Sequence, residues 1–349
     1  MQFVKNNNGD CMNKEIDLSK YQIRTDLALD EIDKKVKLKG VKCKEEIVSD
    51  IKVTEVILDE KNDLNRKKGK YITLEFDDVT DIENRDKVID VLTDILRKIL
   101  NIKEDSYGLI IGLGNDSSTP DSLGPLVVDD IIVTNHLFEL GEMSTNFKRI
   151  SAIIPGVTGE TGIETSEIIE GVINKVKPNY LIVIDSLASK SIERLNKTIQ
   201  ITDTGINPGS GIGNERKEIS KDTLGIPVIA IGVPTVVDAA VIARDTINFI
   251  YKNYAFNKEY MKEPKSKLSS SVNYLKKEIK ENKKEKQELL GLIGSLNDEE
   301  LQVLLYEVLN PIGYNLMVTP KEIDFVISKL ATVISTSLNN SIHNIDKIK

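Results

Sequence analysis

Four short apolar runs, separated by stretches of helical periodicity, constrain the fold of this chain more than any other feature of its sequence. A short apolar run with glycine nearby is typical of a strand that is buried on both faces, as in a parallel sheet covered by helices. The predicted strands are Leu109 to Gly112, Ile150 to Ile154, Leu181 to Ile184 and Val228 to Gly232, and the predicted helices cover 123–139, 163–175 and 235–252. The alternation predicts an α/β fold with three layers, in which helices cover both faces of a mostly parallel sheet.

The sequence on either side of these runs has other patterns. Residues 36–76 alternate loosely between apolar and polar side chains around a basic turn at 67–70, which predicts a β-rich segment with one solvent-exposed face. Apolar residues then recur with helical spacing over 86–100, which predicts an amphipathic helix. Beyond a lysine-rich stretch, Asn297 and Pro320 are each placed to begin a helix. The α/β core therefore has an N-terminal β-rich part and a C-terminal helical extension.

Two aspartates follow two of the predicted strands. Asp185 comes directly after 181–184, and Asp121 lies beyond 109–112 at the end of a loop. Open α/β sheets place reactive groups at the carboxyl ends of their strands, so the two carboxylates share one crevice if the strands are neighbours. Such a pair does not ionise fully at low cost, and it can supply a general acid and a general base for peptide hydrolysis. A structural role is also open for Asp185, since aspartate before Leu187 is a good helix N-cap.

The loop that leads to Asp121 is built from residues suited to sharp turns. Gly112 and Gly114 allow the backbone to reverse, Asn115 tolerates a left-handed conformation, and Pro120 fixes the residue before the acid. The loop lacks the third glycine of a dinucleotide-binding fingerprint and the lysine of a P-loop, which disfavours nucleotide binding. We interpret this loop as a holder for the carboxylate.

A second long segment, between 185 and 228, is predicted to be an irregular insert. It is too long and too rich in glycine, including Gly209 and Gly211, for a routine connection. Ordered loops of this length at the strand-end face are usually functional. We therefore expect the insert to border the crevice.

Few residue types are available for other chemistry. The chain has two cysteines without a CxxC spacing and two histidines, His136 and His343, which disfavours a disulfide framework, a metal site or a serine hydrolase, and no cofactor is expected. A net charge of -8 without a strongly basic face disfavours direct contact with nucleic acid. The apolar stretches are short and no secretory signal begins the chain, so we expect no membrane partner and a cytoplasmic location.

A series of longer motifs runs along the chain in a fixed order. They lie at 112–115, 119–125, 136–140, 154–166, 184–194, 207–214, 225–239 and 315–324. Together, from about Asp17 to His343, they resemble the germination proteases of spore-forming Firmicutes. The resemblance implies an endopeptidase, distantly related to hydrogenase-maturation peptidases, whose two catalytic aspartates correspond to Asp121 and Asp185.

The same resemblance implies a substrate, an assembly and a maturation step. The substrates are the small acid-soluble spore proteins, the location is the forespore or spore core, and the enzyme is a homotetramer made as a zymogen. Autoprocessing is implied at the bond between Asp26 and Leu27, because 25–30 is similar to the Thr-Glu-Phe-Ala-Ser-Glu site of those substrates. This interpretation replaces a helix cap at Thr25 or Asp26, which the residues alone would favour.

With this resemblance the chain divides into five parts. They are a prosegment at 1–26, a β-rich and helical part at 27–105, an α/β catalytic core at 106–255, a lysine-rich linker at 256–287 and a helical extension at 288–349. The chain extends through Cys11 before the usual start of the family, so either Met1 or Met12 is the initiator. The length of the prosegment depends on that choice.

Three basic residues are candidates for binding acidic side chains of a substrate. Lys190, Arg194 and Arg216 lie in the loops that flank the crevice, where a cation can pair with a carboxylate. The alternative is that they serve only the solubility of the surface.

Two other functions compete with a carboxylate-dependent endopeptidase. In the first, Asp121 and Asp185 bind a cation in a metal-dependent peptidase or maturation factor, although no nitrogen or sulfur ligand accompanies them. In the second, the chain is a non-enzymatic scaffold for an acidic spore protein, which its own negative charge disfavours.

Overall fold

The computed structural model describes residues 27–28, 38–64, 66–141, 147–209, 217–260, 282–309 and 316–343. The chain divides into two compact units, and each is described by itself. The larger unit comprises Arg24–Asp238 and Met317–Lys349, and the smaller comprises Met1–Ile23 and Ala239–Leu316. None of the helices in the described ranges is long and apolar enough to cross a membrane.

The larger unit contains a nine-stranded sheet in the order β1-β2-β3-β7-β8-β6-β4-β5, with β9 paired to β8. The strands are β1 (Val41–Val48), β2 (Ile51–Leu58), β3 (Gly69–Glu75), β4 (Tyr107–Gly112), β5 (Arg149–Ile153), β6 (Tyr180–Ser189), β7 (Thr198–Thr202), β8 (Val228–Asp238) and β9 (Met317–Val318). The predicted α/β fold is confirmed, and its parallel part is β5-β4-β6-β8. The predicted N-terminal β-rich part joins the same sheet through antiparallel pairs that continue through β7 to β8.

Helices of the larger unit cover both faces of this sheet. In chain order the helices are α1 (Ile82–Leu100), α2 (Leu123–Asp129), α3 (Asn135–Leu140), α4 (Thr158–Thr161), α5 (Thr165–Val176), α6 (Lys221–Leu224), α7 (Ala239–Tyr260), α8 (Lys283–Leu290), α9 (Leu292–Ser295), α10 (Asp298–Leu309) and α11 (Ile323–His343). Apolar residues of α1, α2 and α11 form one large core with the first face, including Leu92 and Leu330. On the second face α5 packs over β4 and β6 through Ile169 and Ile173. The result is three layers.

The predicted helix over 123–139 is interrupted in the structure. It forms α2 and α3, with an irregular connection between them. At the connection the Thr134 N–H donates to the Ile150 carbonyl at 3.0 Å, and the Thr134 hydroxyl donates to the Lys148 carbonyl at 2.6 Å. These bonds join the chain to β5, and they outweigh the helical pattern because they satisfy buried polar groups.

At two further positions, a helix start that the sequence suggested lies within a strand in the structure. Residues 235–238, expected to begin a helix, are the last residues of β8, where Val237 and Asp238 pair with β9. Asp185, for which a helix N-cap was one interpretation, lies inside β6, which continues to Ser189 by pairing with β8. The predicted irregular insert likewise contains β7. In each case pairing with a neighbouring strand overrides a local preference.

The remaining boundaries are close to prediction. The alternating stretch Ile47 to Val56 is divided between β1 and β2 by a turn at Ser49 and Asp50, both with positive φ.

In the smaller unit α7 packs against α10, and α8 against α9. Asn297 caps α10 as predicted, because its side chain accepts the Glu300 N–H at 2.8 Å. The central part of the predicted linker, 261–281, lies outside the described residues.

Candidate active site

Asp185 is held in the middle of the sheet. Its strand β6 lies between β4 and β8, and the residue is 7% exposed. The Ser186 N–H donates to its Oδ1 at 2.9 Å. Directly beyond the end of β4, the Leu113 N–H donates to the Ile184 carbonyl at 2.8 Å, so the backbone before the aspartate is fixed on that side. This carboxylate therefore belongs to a rigid element.

Asp121 is held in a different way, on a one-turn 3-10 helix (Thr119–Asp121). The preceding loop packs closely against this turn and against α2. A side chain on Gly112 would meet the Gly124 backbone, and Gly114 has a φ of 112° at a point where a side chain would meet the Asp121 carbonyl oxygen. The Asn115 N–H donates to that carbonyl at 3.0 Å, which closes the loop.

The loop is also fastened to the sheet by residues that the sequence did not single out. The buried Thr235 on β8 donates its hydroxyl proton to the Pro120 carbonyl at 2.7 Å. Thr319, just after β9, donates in turn to the Thr235 carbonyl at 2.8 Å. Thr235 lies in the 225–239 motif, but its role depends on β8 continuing past 234, which the sequence pattern did not indicate.

Both aspartates line one cavity of about 340 Å³. The rest of its wall is formed by Ser118, Pro120, Ser186, Leu187, Ala188, Gly209, Thr235, Val236, Met317 and Thr319. A cavity of this size with mixed apolar and polar walls is within the usual range of ligand sites. The Ser186 hydroxyl oxygen is buried and makes no hydrogen bond within the described ranges. The arrangement brings two carboxylates and space for a peptide group together, as hydrolysis by water requires.

The structure places the other predicted site residues as follows. Gly209 lines the cavity, whereas Gly211 and Arg216 lie outside the described residues. Lys190 is half-buried and follows the last residue of β6. Arg194 forms an ion pair with Glu75 of β3, with 3.5 Å between its Nε and the carboxylate oxygen. Neither Lys190 nor Arg194 is among the residues that line the cavity.

Of the predicted autoprocessing pair, Asp26 lies outside the described residues and Leu27 is completely buried. The Leu27 carbonyl accepts a hydrogen bond from Arg66 Nη2 at 3.3 Å. The next residue, Ala28, is also completely buried, and its N–H donates to Gln200 Oε1 at 2.8 Å. Gln200 lies on β7, which the sequence analysis placed in an irregular insert. The alternating apolar and polar residues of 198–202 were the signal that it is a strand.

A metal centre in a protein needs several ligand side chains close together. Within the described ranges, no group of three or more His, Cys, Asp or Glu side chains is placed to hold a metal ion. Transition-metal sites in proteins usually need three or four such ligands.

Comparison with known proteins identifies the family. The family model described as germination protease matches residues 19–348. The chain belongs to the germination protease family. It is 48% identical to the germination protease of Priestia megaterium over 358 aligned residues, with 95% of this chain and 97% of that protein covered. It is 47% identical to the germination protease of Bacillus cereus, with the same coverage. As a member of this family it is a peptidase.

A comparison of structures gives a weaker likeness. A NiFe-hydrogenase maturation protease from Thermococcus kodakarensis matches with a TM-score of 0.27 and 20% identity, over 42% of this chain and 80% of the other.

Proposed function

We propose that this chain is an endopeptidase that hydrolyses small acid-soluble spore proteins in the spore core during germination. In this proposal Asp121 and Asp185 act as a pair: one carboxylate accepts a proton from water, and the other, protonated, donates to the peptide nitrogen that leaves. The observation that supports it best is that both side chains line one cavity while their backbones are fixed independently.

The proposal also includes synthesis as a zymogen and assembly as a homotetramer. The zymogen removes its own prosegment by cleavage between Asp26 and Leu27. The basic side chains Lys190, Arg194 and Arg216 remain candidates for binding acidic side chains of the substrate. For Arg194 this requires exchange of its partner Glu75 for a substrate carboxylate. Local pairing with these cations would then offset the repulsion between acidic side chains of a substrate and a chain whose net charge is -8.

The experiment is cleavage of a peptide containing Thr-Glu-Phe-Ala-Ser-Glu, with the cut mapped by mass. Wild-type protein should cut after the first glutamate. Asp121→Asn and Asp185→Asn should each reduce kcat by about 10²- to 10⁴-fold, the usual contribution of a positioned acid or base. If both variants cleave at the wild-type rate, the paired-carboxylate mechanism is wrong.

A second arm of the experiment addresses the metal-dependent alternative. Purified protein is assayed after treatment with a chelator and dialysis. We expect unchanged activity. Loss of activity that one added metal restores would instead assign the two aspartates as ligands.

A further inference from the structure

Ser186 lines the cavity but has no part in the reaction of the two carboxylates. It follows Asp185 on β6 and borders the same cavity as Asp121 and Asp185. Its hydroxyl oxygen is buried and has no hydrogen-bond partner within the described ranges. Native structures leave few buried polar atoms without partners. A buried hydroxyl of this kind, placed beside two carboxylates, is suited to bind a polar atom of a substrate.

Ser186 lies on the same side of the sheet as the turn that carries Asp121. Residues of a strand alternate between its two faces, and Ile184, two positions before Ser186, belongs to the core of the first face. Val233, directly opposite Ser186 on β8, belongs to the same core. Helices α2 and α11, which also pack in that core, contact the turn. The Ser186 side chain and the turn therefore share one side of the sheet.

The other polar groups near Ser186 are already engaged or face solvent. Thr235 and Thr319, which also line the cavity, donate their hydroxyl protons to backbone carbonyls at 2.7 and 2.8 Å. Ser118 is exposed. The backbone N–H of Ser186 donates to Asp185 Oδ1. Among these groups, the Ser186 hydroxyl is the buried donor that no hydrogen bond within the described ranges occupies.

The proposed hydrolysis leaves one atom of the peptide bond without a protein group. Water adds to the carbonyl carbon and gives a proton to the ionised carboxylate, and the protonated carboxylate gives its proton to the nitrogen as the C–N bond breaks. Negative charge develops meanwhile on the carbonyl oxygen, where a positioned donor accelerates the reaction. The ionised carboxylate has no proton to donate there, and the other proton is used at the nitrogen. A serine hydroxyl can donate a hydrogen bond while it keeps its own proton.

We propose that the Ser186 hydroxyl donates a hydrogen bond to the carbonyl oxygen of the cleaved peptide bond and stabilises the charge that develops there. This inference rests on the proposed function, because it takes the carboxylates as the groups that act on water and on the leaving nitrogen. Rotation about the Cα–Cβ bond of Ser186, which has three staggered positions, directs the hydroxyl toward a bound carbonyl. The serine forms no covalent bond in this scheme and is unchanged at the end of the reaction.

The experiment compares two Thr-Glu-Phe-Ala-Ser-Glu peptides, one with oxygen and one with sulfur at the carbonyl of the cleaved bond. Wild-type protein and Ser186→Ala are prepared in the same way from the full-length chain. Ser186→Ala should lower kcat for the oxygen peptide by about 10²- to 10³-fold, the usual effect of removing one such donor. KM should change little. Because sulfur is a weak acceptor, the same substitution should lower kcat for the sulfur peptide by less than about tenfold.

Two further variants separate the hydroxyl from the shape of the side chain. Ser186→Thr keeps the hydroxyl and should recover most of the lost kcat for the oxygen peptide. Ser186→Val has nearly the shape of threonine without the hydroxyl, and it should be as slow as Ser186→Ala.

Ser166→Ala is the matched control. Ser166 of α5 is buried, its hydroxyl has no partner within the described ranges, and it is not among the residues that line the cavity. This variant should leave kcat for both peptides unchanged. The ratio of the two rates is measured within each variant, so a partly unfolded sample lowers both rates alike and leaves the ratio unchanged.

Wild-type kcat in Ser186→Ala would overturn the inference. An equal loss with the oxygen and the sulfur peptide, or a change confined to KM, would also overturn it, because a residue that supports only the fold or ground-state binding gives those results. The proposed function is tested separately, since Asp121→Asn and Asp185→Asn should slow cleavage of both peptides. If the aspartate variants are slow and Ser186→Ala is not, this inference fails and the proposed function stands.

Discussion

The two aspartates of the site are held by different kinds of structure. Asp185 lies in a central strand with neighbours on both sides, and its position is fixed by the sheet ladder. Asp121 lies on a single turn that depends on Asn115, Thr235 and a left-handed glycine, Gly114. Hydrogen bonds to the sheet and within its own loop fasten this turn, and the turn also contacts α11.

This difference predicts how the site fails. Substitutions near Asp185 should destabilise the fold, because the residues beside it belong to the buried core on both faces of the sheet. Damage near Asp121 should reduce activity while the sheet remains intact. Substitutions near Asp121 should therefore lower activity with little effect on stability, whereas substitutions near Asp185 should lower both.

The strongest separation is expected for Gly114→Ala. The new side chain would meet the Asp121 carbonyl, and the φ of 112° is unfavourable for alanine, with a local cost of about 1–3 kcal/mol. The turn should move, and kcat should fall by about 100-fold or more, since small misplacements of reacting groups have effects of that size. Peptide cleavage measures the activity, and circular dichroism checks that the sheet content is unchanged.

Gly232→Ala is the corresponding change next to Asp185. The three atoms nearest to its new side chain all belong to the side chain of Leu187, which can rotate. We expect a smaller loss of kcat and a fall in Tm of a few degrees, as for about 1 kcal/mol. If Gly232→Ala lowers kcat more than Gly114→Ala does when the two variants are equally stable, the contrast between turn and strand is wrong.

A smaller effect is expected for Thr235→Val. The substitution keeps the shape of the side chain and removes the hydrogen bond to the Pro120 carbonyl, with a cost of about 1–2 kcal/mol borne by the turn. We expect kcat to fall by about tenfold with a small change in Tm. Thr93→Val is the control, because Thr93 of α1 is buried and its hydroxyl has no partner within the described ranges. That variant should keep full activity, and equal losses in both would contradict the role of Thr235.

The accuracy of the sequence predictions also differs between the strand that carries Asp185 and the turn that carries Asp121. The apolar runs predicted the parallel strands and the position of Asp185 on them, because a strand buried on both faces must be apolar along its whole length. The extensions of β6 and β8 were missed, since Asp185, Ser186 and Pro234 resemble the end of a strand. They remain paired because their partner strand supplies the hydrogen bonds.

The contacts of the site depend on long-range pairing and were harder to predict. Gln200 lies 172 positions from Ala28 along the chain, and Thr235 lies 115 positions from Pro120. No local pattern encodes such pairs. Even so, the alternation over 198–202 would have revealed β7, the strand that carries Gln200.

The smallest predicted effect concerns pH and the support behind Asp121. Helix α11 contacts the turn that carries Asp121, and its last residue His343 fastens two other segments. The His343 Nδ1 accepts the Lys148 N–H at 3.1 Å, and Nε2 lies 3.2 Å from the Ile132 carbonyl. Since Nδ1 is an acceptor, the ring is neutral and Nε2 carries the proton.

Burial lowers the pKa of His343 below its ordinary value of 6.5, although the hydrogen bond to Ile132 opposes the shift. Below pH 6.5 the unfolded chain therefore binds more protons at this residue than the folded chain, so stability falls as the pH falls toward the folded-state pKa. The contribution is complete above pH 6.5, and its loss should be about 1 kcal/mol, the size of the hydrogen bond at Nδ1. Tm measured between pH 7.5 and 5 should fall more steeply for wild type than for His343→Gln, with the exposed His136→Gln as the control. If the two histidine variants have the same pH profile, His343 does not contribute to the pH dependence of stability.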